Sequence, residues 1–424
     1  MKPSRTIAIN HLTRVEGHGN IRIRIKNGTV EEARWEVVET PRFFEAMLVG
    51  KLWENAPYLC GRICGICSIG HTLASIRAVE NAFGITPAEQ TDELRLLLKH
   101  METMQSHILH LYFLAAPDFL GVGSVLPLTR SHPAEVQRAL RLKLLANDAC
   151  DLIGGRRLHP TRTVVGGFTM LPEKAQLERL AQRLLAAQED LAAAAELFAT
   201  FTIPDFARET EFVSLKGDHC YPFIGGELVS SDGVVKQEED YRAMTNEYCE
   251  QGFTSKLSRL SRDAFAVGAL ARLNNNFDHL HPAARKVARG FGLTPVNHNP
   301  FMANIAQLVE CVHVAHDSLA IIKELLKRKW RPPRVPVTPK KGKGVGAVEV
   351  PRGILYHAYE FDREGRIVKA DCVIPTSQNH ANIHADLKAL ARQWAAQGKA
   401  DTDIELLAQM LVRAYDPCIS CSVH

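Results

Sequence analysis

The feature that most constrains this chain is a pair of Cys-x-x-Cys motifs placed at its two ends. Cys64 and Cys67 stand near the start, Cys418 and Cys421 near the end, and the gap between the pairs is 418 − 67 = 351 residues. A local zinc knuckle needs its pairs within about 15–20 residues of each other, so one shared metal site demands a fold that brings both ends together. Four thiolates suit zinc, an iron-sulfur cluster or another thiophilic metal, and the spacing does not separate these. Taken singly, each pair has a plain reading as a structural zinc or redox motif, which stands level with a catalytic one.

A chain of 424 residues is long enough to bury such a site completely within one large body. Its 46% hydrophobic and 23% charged residues are ordinary for a globular protein and carry no function by themselves. The 51 basic and 47 acidic residues leave a formal charge of +4, too small to predict a nucleic acid or anionic membrane partner. The opening MKPSRTIAINHLTRVEGHG lacks the apolar core of a signal peptide. No uninterrupted apolar stretch of about 18 residues is present, so direct membrane insertion is not expected. Ten cysteines in so long a chain do not form a disulfide scaffold. Cys60, Cys150, Cys220, Cys249, Cys311 and Cys372 lie outside the two pairs and read as scattered, buried free thiols.

The pattern predicts a mainly α protein with small β elements, α+β in class. Ile21, Ile23 and Ile25 alternate with basic residues, turn at Asn27-Gly28 and resume through Val30, Trp35 and Val37, a β-hairpin with a type I′ turn. Thr86, Pro87 and Glu89 resemble a capping box opening a helix through Leu94, Leu97, Leu98, Met101 and Met104. A second long helix is expected from about Pro172 to Phe198, and a third over 300–328. The stretch RPPRVPVTPKKGKGVG reads as an exposed connector, followed by a hairpin of strands 346–361 and 366–374. Thr402 and Glu405 box a last helix that Asp416-Pro417 ends. The expected organisation is one unit over 1–424: a β element (1–45), a helical body (46–330), a connector (331–345), and a hairpin with C-terminal helices and ligand tail (346–424).

The flanks of the cysteines carry more than their spacing. Arg62-Ile-Cys64-Gly-Ile-Cys67-Ser-Ile-Gly-His71 and Asp416-Pro-Cys418-Ile-Ser-Cys421-Ser-Val-His424 resemble the two cysteine motifs of nickel-iron hydrogenase large subunits. Arg14-Val-Glu16-Gly-His18, the Glu45 region and Pro351-Arg352-Gly353 resemble the same family, so the likeness runs from about residue 10 to 424. A homologous subunit of proton-pumping quinone reductases keeps this fold but lacks the quartet, whereas all four cysteines stand here. The resemblance implies the family's fold, long helices around a central metal site, and heterolytic cleavage of dihydrogen. The alternative is a non-catalytic subunit whose cysteines hold structural zinc.

By that resemblance Cys64 and Cys418 bind nickel terminally, while Cys67 and Cys421 bridge it to an iron bearing carbon monoxide and cyanide. Soft thiolates favour nickel over hard cations, and bridging sulfur couples the two metals closely. His71, at i+4 from Cys67, would donate a hydrogen bond to a bridging sulfur, or else is a satisfied core histidine. Glu45 and His424 resemble ligands of a magnesium or iron ion near the C-terminus, Glu45 reading otherwise as a surface carboxylate. For the base that takes the proton, Cys418 is favoured over Arg352, which is implied as the electrostatic partner of the cyanides or, more plainly, as part of a salt bridge. Glu16 resembles a carboxylate relaying the proton outward, the plain reading being a pair with Arg14. Asp118 is expected to hold Arg352 in place. Thr376 is expected to hydrogen-bond a cyanide, although Gln378-Asn379 departs from the family pattern. An end at His424 resembles the mature form left by a maturation protease. Once the quartet is spent, no grouped cysteines remain for a cluster. An iron-sulfur small subunit is therefore implied, with further flavin or cluster subunits passing electrons to NAD(P) or another soluble carrier, in the cytoplasmic branch of the family.

Overall fold

The computed structural model describes residues 5–27 and 29–424. At the N-terminus, β1 (Arg5–Ile9), β2 (Gly19–Lys26) and β3 (Thr29–Val37) form an antiparallel sheet in that order. Ile21, Ile23 and Ile25 face inward and the basic residues between them face solvent, as period-two alternation requires. Ile21 pairs with Trp35, and Ile23 with Ala33. Asn27 takes a left-handed φ of 52°, while Gly28, and with it the turn type, lies outside the described residues.

The body is built from α1 (Phe44–Leu48), α2 (Ser68–Phe83), α3 (Glu89–Leu109), α4 (Pro133–Gly154), α5 (Lys174–Ala199), α6 (Ala269–Asn276) and α7 (Ala303–Lys327). α3 packs against α4 and α7, and α7 against α5. α7 is apolar and long enough to cross a bilayer by composition, yet its buried residues include Glu310 and His313, and it serves here as a core helix. The expected cap at Thr86 does not form. Pro87 leads into Ala88, whose extended backbone (ψ 147°) separates Thr86 from the first turn, and Ala88 O receives Thr91 N at 2.7 Å. The real capping box belongs to α5, where Glu173 and Gln176 exchange side-chain and backbone hydrogen bonds.

The glycine-rich end of the expected connector is a strand. β6 (Gly342–Val350), β7 (Gly353–Phe361) and β8 (Ile367–Val373) make a three-stranded antiparallel sheet, with Pro351-Arg352 as the first turn. Thus the single hairpin expected from residue 346 is a meander beginning at 342. Gly342, Gly344 and Gly346 lie on one face against α2, where an added Cβ would come within 2.5, 2.1 and 2.2 Å of the Ala82, Ala78 and Ala74 carbonyl oxygens. Only glycine lets strand and helix approach so closely. A small sheet not foreseen from the sequence, including β4 (Glu211–Lys216) and β5 (Glu227–Ser230), abuts α6. The chain closes with α8 (Pro375–Ala396), which packs on β3, then α9 (Asp401–Ala414) and α10 (Ile419–Ser422). α9 begins at Asp401 without a side-chain cap, so the Thr402 box is also absent; backbone bonds to Ala400 O serve instead.

Candidate metal centre

Both cysteine pairs occupy the residues where short turns give way to helix. Cys67 immediately precedes α2 and Cys418 immediately precedes α10. The four sulfur atoms all lie within 4.8 Å of one another, and every one of the four residues is buried. Cys64 Sγ is 3.4 Å from Cys418 Sγ, Cys67 Sγ 3.7 Å from Cys421 Sγ, and Cys418 Sγ 2.6 Å from Cys421 Sγ. Sulfur alone supplies this ligand set, which matches a thiophilic transition metal and not magnesium or calcium. Of the other cysteines, Cys60, Cys150, Cys311 and Cys372 are buried as expected, but Cys220 and Cys249 are exposed because both lie in irregular segments.

The C-terminal pair is fixed by residues from far away in the sequence. Ile419 N donates to Glu16 O at 3.0 Å, and the Glu16 carboxylate accepts from Ser420 N at 3.1 Å and from its hydroxyl. Glu16 therefore does not pair with Arg14. Arg42 donates to Ile63 O at 2.7 Å and to Ser420 O, stapling the two cysteine segments to each other. Cys418 N donates to Thr376 Oγ1 at 3.0 Å, which leaves the Thr376 hydroxyl hydrogen free to donate elsewhere.

Arg352, in the turn between β6 and β7, is buried beside the sulfurs. Its Nε donates to Asp416 O at 2.5 Å and its Nη2 to Asp416 Oδ1 at 2.9 Å, while the buried Nη1 has no protein partner. Burial alone would depress its pKa, but the Asp416 carboxylate and the neighbouring thiolates outweigh that and keep the guanidinium charged. Asp118 does not touch Arg352. It accepts from Arg413 Nη1 at 2.9 Å and from Arg14, because the short helix Ala116–Phe119 that carries it turns its carboxylate to these two arginines. The aspartate that holds Arg352 is Asp416, itself tied through Gln307 Nε2 (3.3 Å) to α7. An apolar-walled cavity of about 30 Å³ adjoins Arg352 and is lined also by Val267, Gln307, Pro351 and Tyr415.

His71 Nε2 lies 4.0 Å from Cys421 Sγ, so the histidine reaches the far pair rather than its own. Burial pushes its pKa well down, and its imidazole is neutral. Below the sulfurs, His424 Nε2 is 2.7 Å from Cys372 O and 3.5 Å from Glu45 Oε1. Burial opposes ionisation of Glu45, yet hydrogen bonds from His424 and Cys372 N, with Lys256 nearby, lower its pKa to about 2. Carboxylate, imidazole and carbonyl oxygen converge there, a donor set that fits a hard divalent cation. Lys256, 3.2 Å from Glu247, closes the surroundings. Asp416, Gln307, Cys372 O, Lys256 and Glu247 were not singled out from the sequence. Of these only Asp416, inside a cysteine motif, carried a local signal.

Comparison with known proteins agrees with this geometry. Residues 42–139 and 255–424 match the profile of the nickel-dependent hydrogenases, and residues 6–40 a HoxL-like profile. The chain is 36% identical to the sulfhydrogenase 1 subunit alpha of Pyrococcus furiosus, covering 99% of this chain and 97% of that one. It is 26% identical to the NAD-reducing hydrogenase HoxS subunit beta of Cupriavidus necator, over 99% and 95% of the two chains. A crystal structure of an NAD+-reducing nickel-iron hydrogenase in the H2-reduced state superposes with a TM-score of 0.89 at 26% identity, covering 99% of each chain.

Proposed function

This chain belongs to the nickel-dependent hydrogenase family as its catalytic large subunit, and from that premise we propose how its residues divide the work. Cys64 and Cys418 would hold nickel, and Cys67 and Cys421 would be shared between it and an iron carrying carbon monoxide and cyanide. When bound, this metal pair supplies the electron acceptance and polarisation that reversible cleavage of dihydrogen requires. The observation that carries the reading is the convergence of four buried thiols from opposite ends of the chain. Arg352 adds a physical argument against structural zinc alone, since a charged guanidinium with an unpaired, buried Nη1 calls for an anionic ligand beside the sulfurs.

The Cys418 thiolate receives the proton. Glu16, half-buried and bonded to Ser420, stands at the same strand-like bridge as Cys418 and passes the proton toward solvent. Arg352, aligned by Asp416, would hold its charge toward the cyanides, and the free Thr376 hydroxyl would donate to one of them. Glu45, His424 and Cys372 O clasp a magnesium or iron ion that pins the ligand tail.

Among the described residues the quartet is the only group of three or more metal-ligating side chains so gathered, so the electrons leave through another chain. The relatives named above are themselves called subunits. An iron-sulfur small subunit accepts the electrons here, and flavin or cluster subunits deliver them to NAD(P) or another soluble carrier in the cytoplasm, a maturation protease acting beforehand. The test is elemental analysis and infrared spectroscopy of the natively purified complex. About one nickel per chain with carbon monoxide and cyanide bands is expected; zinc alone would defeat the proposal.

A further inference from the structure

Behind Cys421 the core contains a run of polar side chains that the scheme above does not use. His71 Nδ1 lies 3.0 Å from His357 Nε2, the two rings meeting edge-on with an interplanar angle of 89°. His357 Nδ1 in turn lies 2.9 Å from Tyr359 OH and 3.3 Å from Cys372 Sγ. The Tyr359 hydroxyl also reaches Ser75 Oγ at 2.9 Å and Cys60 Sγ at 3.0 Å. Every member is buried, so water does not compete for these groups. His71 sits on α2, His357 and Tyr359 share one face of β7, and Cys372 is on β8, so the array is held by rigid elements.

Two ring nitrogens 3.0 Å apart share a single proton, which leaves two possible orders. If the proton belongs to His71 Nδ1, the neutral His71 ring turns a bare lone pair toward the Cys421 sulfur, and two electron-rich atoms face each other in a dry core. If it belongs to His357 Nε2, His71 carries its hydrogen on Nε2 and aims it at the sulfur. His357 Nδ1 is then a bare acceptor, and the Cys372 thiol, 3.3 Å away, donates to it, while the Tyr359 hydroxyl gives its one hydrogen to Ser75 Oγ. Burial raises the Tyr359 pKa well above its usual value, so that hydroxyl keeps its hydrogen on Ser75 and leaves Nδ1 to the thiol. Only the second order satisfies every group.

We infer that His357 is a positioning residue: it fixes the tautomer of His71 so that an N–H is held permanently toward Cys421 Sγ, drawing electron density from that sulfur. The inference rests on the reading of Cys421 as a bridging ligand. It extends the site's electronic control to a side chain that contacts no ligand sulfur itself.

The test is infrared spectroscopy of the assembled complex carrying His357→Leu, His357→Gln or His71→Leu, with nickel content measured on each. Without a hydrogen bond the sulfur donates more charge to iron, so His357→Leu and His71→Leu both shift the carbon monoxide band to lower wavenumber. The amide N–H of His357→Gln replaces the lost donor and keeps the band near wild type. If His357→Leu fails to load nickel, the Tyr359→Phe, Cys372→Ala double variant removes the thiol that donates to His357 Nδ1 and the hydroxyl that could replace it, and must give the same downward shift. A shift in His71→Leu with none in nickel-loaded His357→Leu overturns the inference and leaves the role of His71 standing. No shift in either shows that the hydrogen bond to Cys421 is not made, and both readings fall.

Discussion

Cys67 heads a helix of 16 residues whose flank is pressed against a glycine-faced strand, whereas Cys418 heads a helix of 4 residues secured mostly by hydrogen bonds. The first half of the quartet leans on packing: Cys67 caps α2, and α2 is pressed against β6. The second half is positioned by polar contacts from Glu16, Arg42, Thr376 and Glu45, each weak alone. One site thus joins a rigid wall to a stitched flap, and perturbing each should give different symptoms.

The largest effect ignores that distinction. Cys67→Ala and Cys421→Ala should both abolish nickel retention and hydrogen turnover, and elemental analysis showing full nickel in either would break the assignment of a shared site. Next comes Arg352, which links wall to flap through Asp416. Arg352→Lys should slow turnover by roughly 100- to 1000-fold with nickel retained, because an ammonium cannot donate to Asp416 and to a ligand in one plane. Unchanged rates would reduce it to a structural ion pair. Glu16→Gln should keep the flap in place, since the amide still accepts from Ser420 N. It should nevertheless cut proton exchange by about 100-fold, as measured by hydrogen-deuterium exchange in the gas phase. Wild-type exchange would remove Glu16 from the relay.

The smaller effects separate the two halves directly. Gly346→Val places a branched side chain against α2 and should destabilise the whole chain by up to about 3 kcal/mol, read in chemical denaturation. Arg42→Met should cost about 1.5–3 kcal/mol only locally, raising amide exchange at 418–424 while the global unfolding midpoint barely moves. If both variants behaved alike, the contrast between wall and flap would be wrong.

Much of this was legible because the decisive signals are short. The two cysteine motifs, the alternation of Ile21, Ile23 and Ile25, and the apolar period of α5 and α7 are each written within a few turns of chain. What failed depended on tertiary contact. Glycines at 342, 344 and 346 look like flexibility until an apposed helix shows why no side chain fits. The sequence points to Asp118 as the partner of Arg352, and only the tertiary fold shows Asp118 held by Arg413 and Arg14 with Asp416 in its place. The caps at Thr86 and Thr402 matched a pattern but lacked the backbone geometry to use it. The His71–His357 contact joins residues 286 apart, which no local rule anticipates.

The bridge between Glu16 and Ser420 spans 404 residues, and each cross-pair sulfur contact spans 354. Closing loops of that length is entropically slow and is rewarded only once the intervening helices have collapsed, so the flap must dock late. Pulse-labelling during refolding should protect α2 before residues 418–422; simultaneous protection would refute this order. In a zinc finger the ion nucleates the fold, but here nearly the entire architecture has to exist before the last two thiolates arrive, so the quartet's geometry reports completed assembly.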